Sequence, residues 1–143
     1  MDSGTSVTRL DPDSGERFQP LRRDLGVTSF GMNLITLQPG ERGRVHEHVR
    51  QEEVMLVLEG ILDVLTPDGV VELHANDVMR IAPDVRRQLV NRGPGRTVIV
   101  ALGGSNEHDG RDGRAFASFD DAEAKAPQDL PNPEPLPASD LRG

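Results

Sequence analysis

Cysteine is absent from the 143 residues, which excludes disulfide frameworks and thiolate metal sites and fits a reducing compartment. Tryptophan and tyrosine are also absent and only four phenylalanines remain, so a core must be built mainly from Val, Leu, Ile and Met. No apolar run approaches the ~20 residues of a membrane-spanning helix. The opening residues, MDSGTSVTRLDPDSGE, lack the apolar stretch of a secretory signal. A cytoplasmic location away from membranes is the expectation. Positive charge is scarce too: 16 Lys and Arg face 24 Asp and Glu, for a net charge of −8. That balance argues against general nucleic-acid binding. Lys125 is the only lysine. No Gly-rich phosphate loop occurs, and no Ser-His-Asp order stands out.

What is present reads as one domain with two flanks. Residues 1–18 form a polar lead-in, 19–103 a β-rich body, and 104–143 an acidic, Gly/Pro-rich extension. Apolar runs punctuated by turn residues predict strands at Thr28–Leu37, Arg44–His48, Glu53–Glu59, Ile61–Leu65, Val70–His74, Asp77–Ile81, Arg86–Asn91 and Thr97–Leu102. Gly60 marks a turn or bulge, Pro67-Asp68-Gly69 closes a hairpin, and Gly93-Pro94-Gly95 makes another turn. Turn signals recurring at this spacing indicate a β-sandwich or barrel. In Glu53–Glu59, Val54, Leu56 and Leu58 share one face while Met55 and Val57 share the other with Glu53. Burial of both faces is therefore expected, with the outer one covered by another sheet edge, the N-terminal segment or a second subunit. A homodimer is the natural expectation. Beyond Leu102, GGSNEHDGRDG reads as flexible and Phe119–Ala126 as two helical turns. PQDLPNPEPLPASD reads as an extended segment, solvated or laid along the surface.

The most informative stretch is residues 40–60, GERGRVHEHVRQEEVMLVLEG. His46 and His48, two apart on a strand, point to the same face. Glu53 on the next strand can complete a set of two imidazoles and one carboxylate, a donor set suited to iron(II), manganese and related divalent ions. The ligating forms are neutral imidazole and ionised carboxylate, so binding should weaken as pH falls through ~6.5. Glu52 is the alternative carboxylate, but alternation aims it at the opposite face. His74 precedes a turn and reads as a surface histidine, and His108 is assigned no role. Asn91 is a candidate for holding a turn.

Gly40, His46, His48, Glu53 and Gly60, at their spacing, resemble the first motif of the cupin superfamily. Residues 76–91, NDVMRIAPDVRRQLVN, resemble the second, with Asn91 at its terminal asparagine. The resemblance covers roughly residues 28–102. It implies an all-β, double-stranded β-helix (a jelly-roll barrel) holding a divalent metal such as Fe, Mn, Ni, Cu or Zn inside one end. It also implies a wide span of activities, from dioxygenases, isomerases, epimerases and decarboxylases to non-catalytic binders, among which fold cannot choose. The second motif departs from the pattern at Asn76, at Ala82-Pro83-Asp84, and at Arg87, which stands where the family carries a third histidine.

Guanidinium has no lone pair to donate, so Arg87 cannot replace a ligating nitrogen. Three arrangements remain open. Arg87 can sit beside a three-ligand metal as the substrate-binding group for an anion. It can pair with Glu53 in place of a metal, or it can turn outward. Two functions compete accordingly. One is a metal-dependent enzyme acting on a small anionic or oxygenated molecule by dioxygenase- or isomerase-type chemistry, with no general base identifiable. The other is a small-molecule binding or accessory protein with a structural metal or none.

Overall fold

The computed structural model describes residues 3–104 and 112–143. Among these described residues, alternation and turns produce ten strands: β1 (Phe18–Gln19), β2 (Gly31–Leu37), β3 (Val45–His48), β4 (Glu52–Glu59), β5 (Ile61–Thr66), β6 (Gly69–His74), β7 (Val78–Ile81), β8 (Gln88–Val90), β9 (Thr97–Gly104) and β10 (Gly113–Phe116). One helical turn and a half, α1 (Leu21–Leu25), follows β1. One sheet runs β1-β2-β9-β4-β7, a second β6-β5-β8, and a third β10-β3, all antiparallel. Isolated bridges Arg42↔Val90 and His46↔Arg87 join the second and third sheets along the β8 and β3 sides. The result is two facing layers, the jelly roll expected from the sequence.

Between the layers lies the main core, including Ile35, Leu37, Met55, Val57, Leu62, Val64, Ile81, Leu89 and Ile99. Full burial of each such side chain contributes about 1.5–3 kcal/mol, which lets Val, Leu, Ile and Met replace the missing aromatics. Gly60 enables the turn out of β4. Its φ is +81°, and a Cβ there would stand 2.2 Å from the Arg96 carbonyl oxygen. A register shift between Val57 and Glu59 against β9 marks the expected bulge. Asn91 is buried and holds the 93–95 turn: its amide donates to the Leu37 and Gly95 carbonyls at 2.8 and 2.9 Å, and its side-chain oxygen accepts from the Gly93 N–H at 2.6 Å.

The outer face of β4 is less covered than expected. Met55 and Val57 are fully buried, Val54 and Leu56 half-buried, and Leu58 is 38% exposed. The N-terminal segment is the cover, but it packs over β2 and β9, where Leu21 of α1 meets Leu34, Val98 and Val100. The 119–126 helix does not form; the chain makes a turn and then runs extended. Arg86 donates to the Phe119 and Asp121 carbonyls at 2.8 and 2.5 Å. Lys125 exchanges backbone hydrogen bonds with Ala115. The barrel thus takes the backbone groups that a two-turn helix would need internally. Most of the segment expected to be flexible lies outside the described residues, His108 included. Its end is ordered: Asp112 is buried and Gly113 opens β10. The proline-rich tail runs along the barrel surface. Leu130 and Glu134 carbonyls accept from Arg44 and Arg42, the Leu136 N–H donates to the Gly40 carbonyl, and Arg142 binds buried Asp63 at 2.7 and 2.8 Å.

Candidate metal centre

β3 presents His46 and His48 to the barrel interior because they share its parity, while Val45 and Glu47 turn to the other side. The strand is held from both flanks. His46 and Arg87 exchange two backbone hydrogen bonds of 2.9 Å, and His48 pairs with Gly113 of β10. Glu53 comes from β4 in the facing layer, on the same parity as Met55 and Val57. The three side chains therefore converge across the two layers, and one ligand atom from each lies within 4.8 Å of the other two. Glu52 points away and pairs with Arg80. His74 sits exposed on β6, 3.0 Å from Glu72 and outside the group.

The proton inventory decides what this convergence accommodates. His46 Nδ1 lies 3.1 Å from the Arg44 carbonyl oxygen, so it carries the proton and Nε2 is left as a lone pair. His48 Nδ1 lies 4.0 Å from the Asp112 carboxylate, an ionic neighbour beyond hydrogen-bond reach. His48 Nε2 stands 3.5 Å from Glu53 Oε2. The three ligand atoms then need a cation among them: without metal a proton on His48 Nε2 faces Glu53, and a metal ion would take that proton's place. Glu53 Oε1 and His48 Nδ1 are buried without a hydrogen bond. The donor set fits a divalent cation. His46 would offer Nε2, His48 Nε2 and Glu53 its carboxylate.

Electrostatics agree with these protonation states. Burial is the largest influence on His46 and, with Arg87 and His48, lowers its pKa despite Glu53 and the Arg44 carbonyl. The ring stays neutral near pH 7, the form a metal requires. Burial alone would raise the Glu53 pKa, but the His48 hydrogen bond, with the nearby charge of Arg87, outweighs it, so the carboxyl stays ionised. Asp112 is a residue the sequence reading missed. It accepts backbone N–H bonds from Arg50 and Gln51 at 2.9 Å each. Burial raises its pKa, and those bonds with the charges of His48 and Arg50 reverse the shift. Asp112 is thus a fixed anion behind His48. Nothing local in GGSNEHDGRDG signals this, because β10 brings it to His48 from over 60 residues away.

Arg87 is turned inward and fully buried, so the outward arrangement does not occur. Its Nε is 3.7 Å from Glu53 Oε1, beyond hydrogen-bond reach, and none of its three guanidinium nitrogens has a hydrogen-bond partner. Burial lowers its pKa, against the attraction of Glu53 and Glu47. Arg87 is absent from the walls of the cavity that reaches the three ligands; it stands behind Glu53.

That cavity has two lobes, about 310 and 320 Å³, meeting at Asn33, His48, Glu53, Ala101 and Gly113. The larger is lined by apolar Phe18, Ile35, Leu37 and Leu89 beside His46, with Pro127 of the tail contributing. Asn33 also escaped the sequence reading, although a signal existed. It shares inward parity with Ile35 and Leu37 on β2, and a polar residue in that row asks for a partner.

The Cupin domain family model matches residues 33–103, about half of the chain. The chain is 36% identical over 69 residues to the polyketide synthase CurC of Streptomyces cyaneus. The aligned part is 48% of this chain and 45% of CurC, so the chain matches less than half of that relative's length. Among solved structures, a cupin protein from Bacteroides fragilis superposes with a TM-score of 0.64 at 21% identity, covering 73% of this chain and 86% of that one. A sugar phosphate isomerase from a cupin superfamily, from Silicibacter pomeroyi, gives 0.59 at 24% identity over 85% and 80% of the two chains. A Cupin 2 conserved barrel domain protein from Salinispora arenicola gives 0.60 at 23% identity over 70% and 88%. These likenesses carry the fold. With the Cupin domain match over residues 33–103 and the two-layer barrel that holds them, the chain belongs to the cupin superfamily.

Proposed function

We propose that this protein is a small metal-dependent cupin enzyme that binds one divalent cation through His46, His48 and Glu53 and acts on a small oxygenated or anionic molecule. The observation that carries this is the convergence of three ligand atoms within 4.8 Å at the junction of a two-lobed cavity. A divalent ion held there supplies Lewis-acid polarisation of a carbonyl or hydroxyl oxygen. The chain's own part is to orient and to exclude water. The Arg44 carbonyl orients the His46 ring, Asp112 stands as an anion 4.0 Å behind His48, and Asn33 offers an amide to the ligand. Phe18, Ile35, Leu37 and Leu89 keep one lobe apolar. The names of the comparison proteins concern polyketide assembly and sugar phosphates, both oxygen-rich chemistries, in keeping with an oxygen-binding centre.

Arg87 gives a second reading its support. Its charge beside Glu53 offsets the carboxylate without any metal, as a non-catalytic ligand-binding cupin would allow. Elemental analysis of untagged protein separates the two. The metal reading expects near-stoichiometric Fe, Mn, Ni, Cu or Zn, lost in the His46→Ala/His48→Ala double variant. Protein that takes up none of these ions on incubation supports the second reading. We propose also that the bare β4–β7 end of the outer sheet face, with Leu58 and Val78 exposed, is covered by a second copy of the chain.

A further inference from the structure

The smaller lobe differs from the apolar one in charge. Its walls include Arg22 and Arg23 of α1 together with Gln51 and Gly103, and it opens directly onto His48 and Glu53. Most of the chain's arginines are engaged elsewhere. Arg17, Arg80, Arg96, Arg114 and Arg142 pair with carboxylates, and Arg42, Arg44 and Arg86 hold backbone carbonyls. The Arg22 guanidinium has no ion-pair or hydrogen-bond partner among the described residues. Arg23 comes no closer than 4.0 Å to Asp24 and is 79% exposed. Among the described residues these two cations, with Asp24 at 4.0 Å from Arg23 as their one ion pair, thus stand at the mouth of a cavity, in a chain whose net charge is −8. Such a local reversal of sign draws an anion to that mouth and away from the rest of the surface. Asn33, whose side-chain amide has no hydrogen-bond partner among the described residues, borders both this lobe and the apolar one.

We propose that this lobe is the subsite for the anionic end, phosphate or carboxylate, of the small molecule that the centre acts on. Arg22 and Arg23 bind the anion by charge-assisted hydrogen bonds, and Asn33 bonds a hydroxyl or carbonyl along the molecule. The far end reaches His46, His48 and Glu53. The assignment of a reacting end rests on the metal reading above; the anion subsite rests on the arginines alone. It gives the anion-receiving role to α1, since Arg87 lies behind Glu53 and off the cavity wall.

Three probes sharing a short polyol skeleton test this: glycerol 3-phosphate, glycerate and glycerol. Binding is followed by NMR shifts of the Asn33 side-chain amide and the Arg22 and Arg23 Nε–H groups, with metal content measured in parallel. Both anions should bind more tightly than glycerol, and their ranking tells phosphate from carboxylate. The Arg22→Ala/Arg23→Ala variant should weaken anion binding about tenfold, a scale set by loss of charge-assisted contacts. Its metal content should be unchanged, and Arg22→Lys/Arg23→Lys should restore most of the affinity. Both arginines are exposed, so folding should be retained. Equal binding of glycerol and the anions, equal anion binding by wild type and the alanine variant, or no binding of any probe each overturns the subsite. Arginine-dependent anion binding in protein that takes up no metal supports the subsite and defeats the metal reading separately.

Discussion

Replacing Arg87 by methionine should strengthen metal binding. Two opposing effects of the guanidinium can be compared. At 3.7 Å from Glu53 and an effective dielectric near 20, its attraction to the carboxylate is about 4.5 kcal/mol. Burial without hydrogen bonds costs it several kcal/mol, so in the metal-free protein the two nearly cancel. An apolar side chain of similar length should leave metal-free stability within about 1–2 kcal/mol. Glu53 also keeps His48 Nε2 3.5 Å away, so its charge is not stranded. With a divalent cation bound, the guanidinium repels the ion it stands near. Neutralisation of that ion by Glu53 removes much of this repulsion, leaving roughly 1.4–2.8 kcal/mol, or about 10–100-fold in affinity. Competition against a chelator of known affinity, with the His46→Ala/His48→Ala variant as background, reads this directly. Affinity in Arg87→Met equal to or weaker than wild type refutes the reasoning. If Arg87 stands in place of a metal, wild type takes up no ion and Arg87→Met does.

Further expectations concern the surroundings of the centre. Asp112→Ala removes the anion behind His48 and frees the Arg50 and Gln51 N–H groups; metal affinity should fall about 10–100-fold in the chelator assay, and an unchanged value counts against Asp112 as a positioning group. Because the folded-state pKa of His46 is depressed, its contribution to stability is present above the unfolded imidazole value of ~6.5 and lost as pH falls below it. Urea denaturation of metal-free protein should therefore show lower stability at pH 5.5 than at pH 7.5, with a smaller difference in His46→Gln. The same slope in both proteins rules His46 out as the source. Light scattering should give a dimer mass that drops towards 15.6 kDa in Leu58→Glu/Val78→Glu, whereas a wild-type monomer removes the proposed subunit contact.

The fold was legible where strand parity and turn chemistry act locally. His46 and His48 had to share a face, Met55 and Val57 had to share a face with Glu53, and Gly60 had to mark a turn or bulge. The same parity separated Glu53 from Glu52. What escaped depends on contacts distant in sequence. β10 exists because it pairs with β3, and Asp112 reaches His48 only through that pairing. Phe119–Ala126 has a helical composition, but Arg86 and Ala115 hold its backbone in another shape. Arg87 could be placed on a strand near the site, yet its inward rotamer behind Glu53 follows from the facing layer. The roles of Arg22 and Arg23 arise from where α1 docks, which its local sequence does not encode by itself.

The claim that two imidazoles and one carboxylate meet at a single ion is tested most directly by X-ray absorption on the metal-loaded protein. The spectrum should show outer-shell scattering from two imidazole rings and low-atomic-number neighbours fitting one carboxylate, with the ring signal lost in His46→Ala/His48→Ala. A first shell without imidazole, or an identical spectrum from the double variant, contradicts the site.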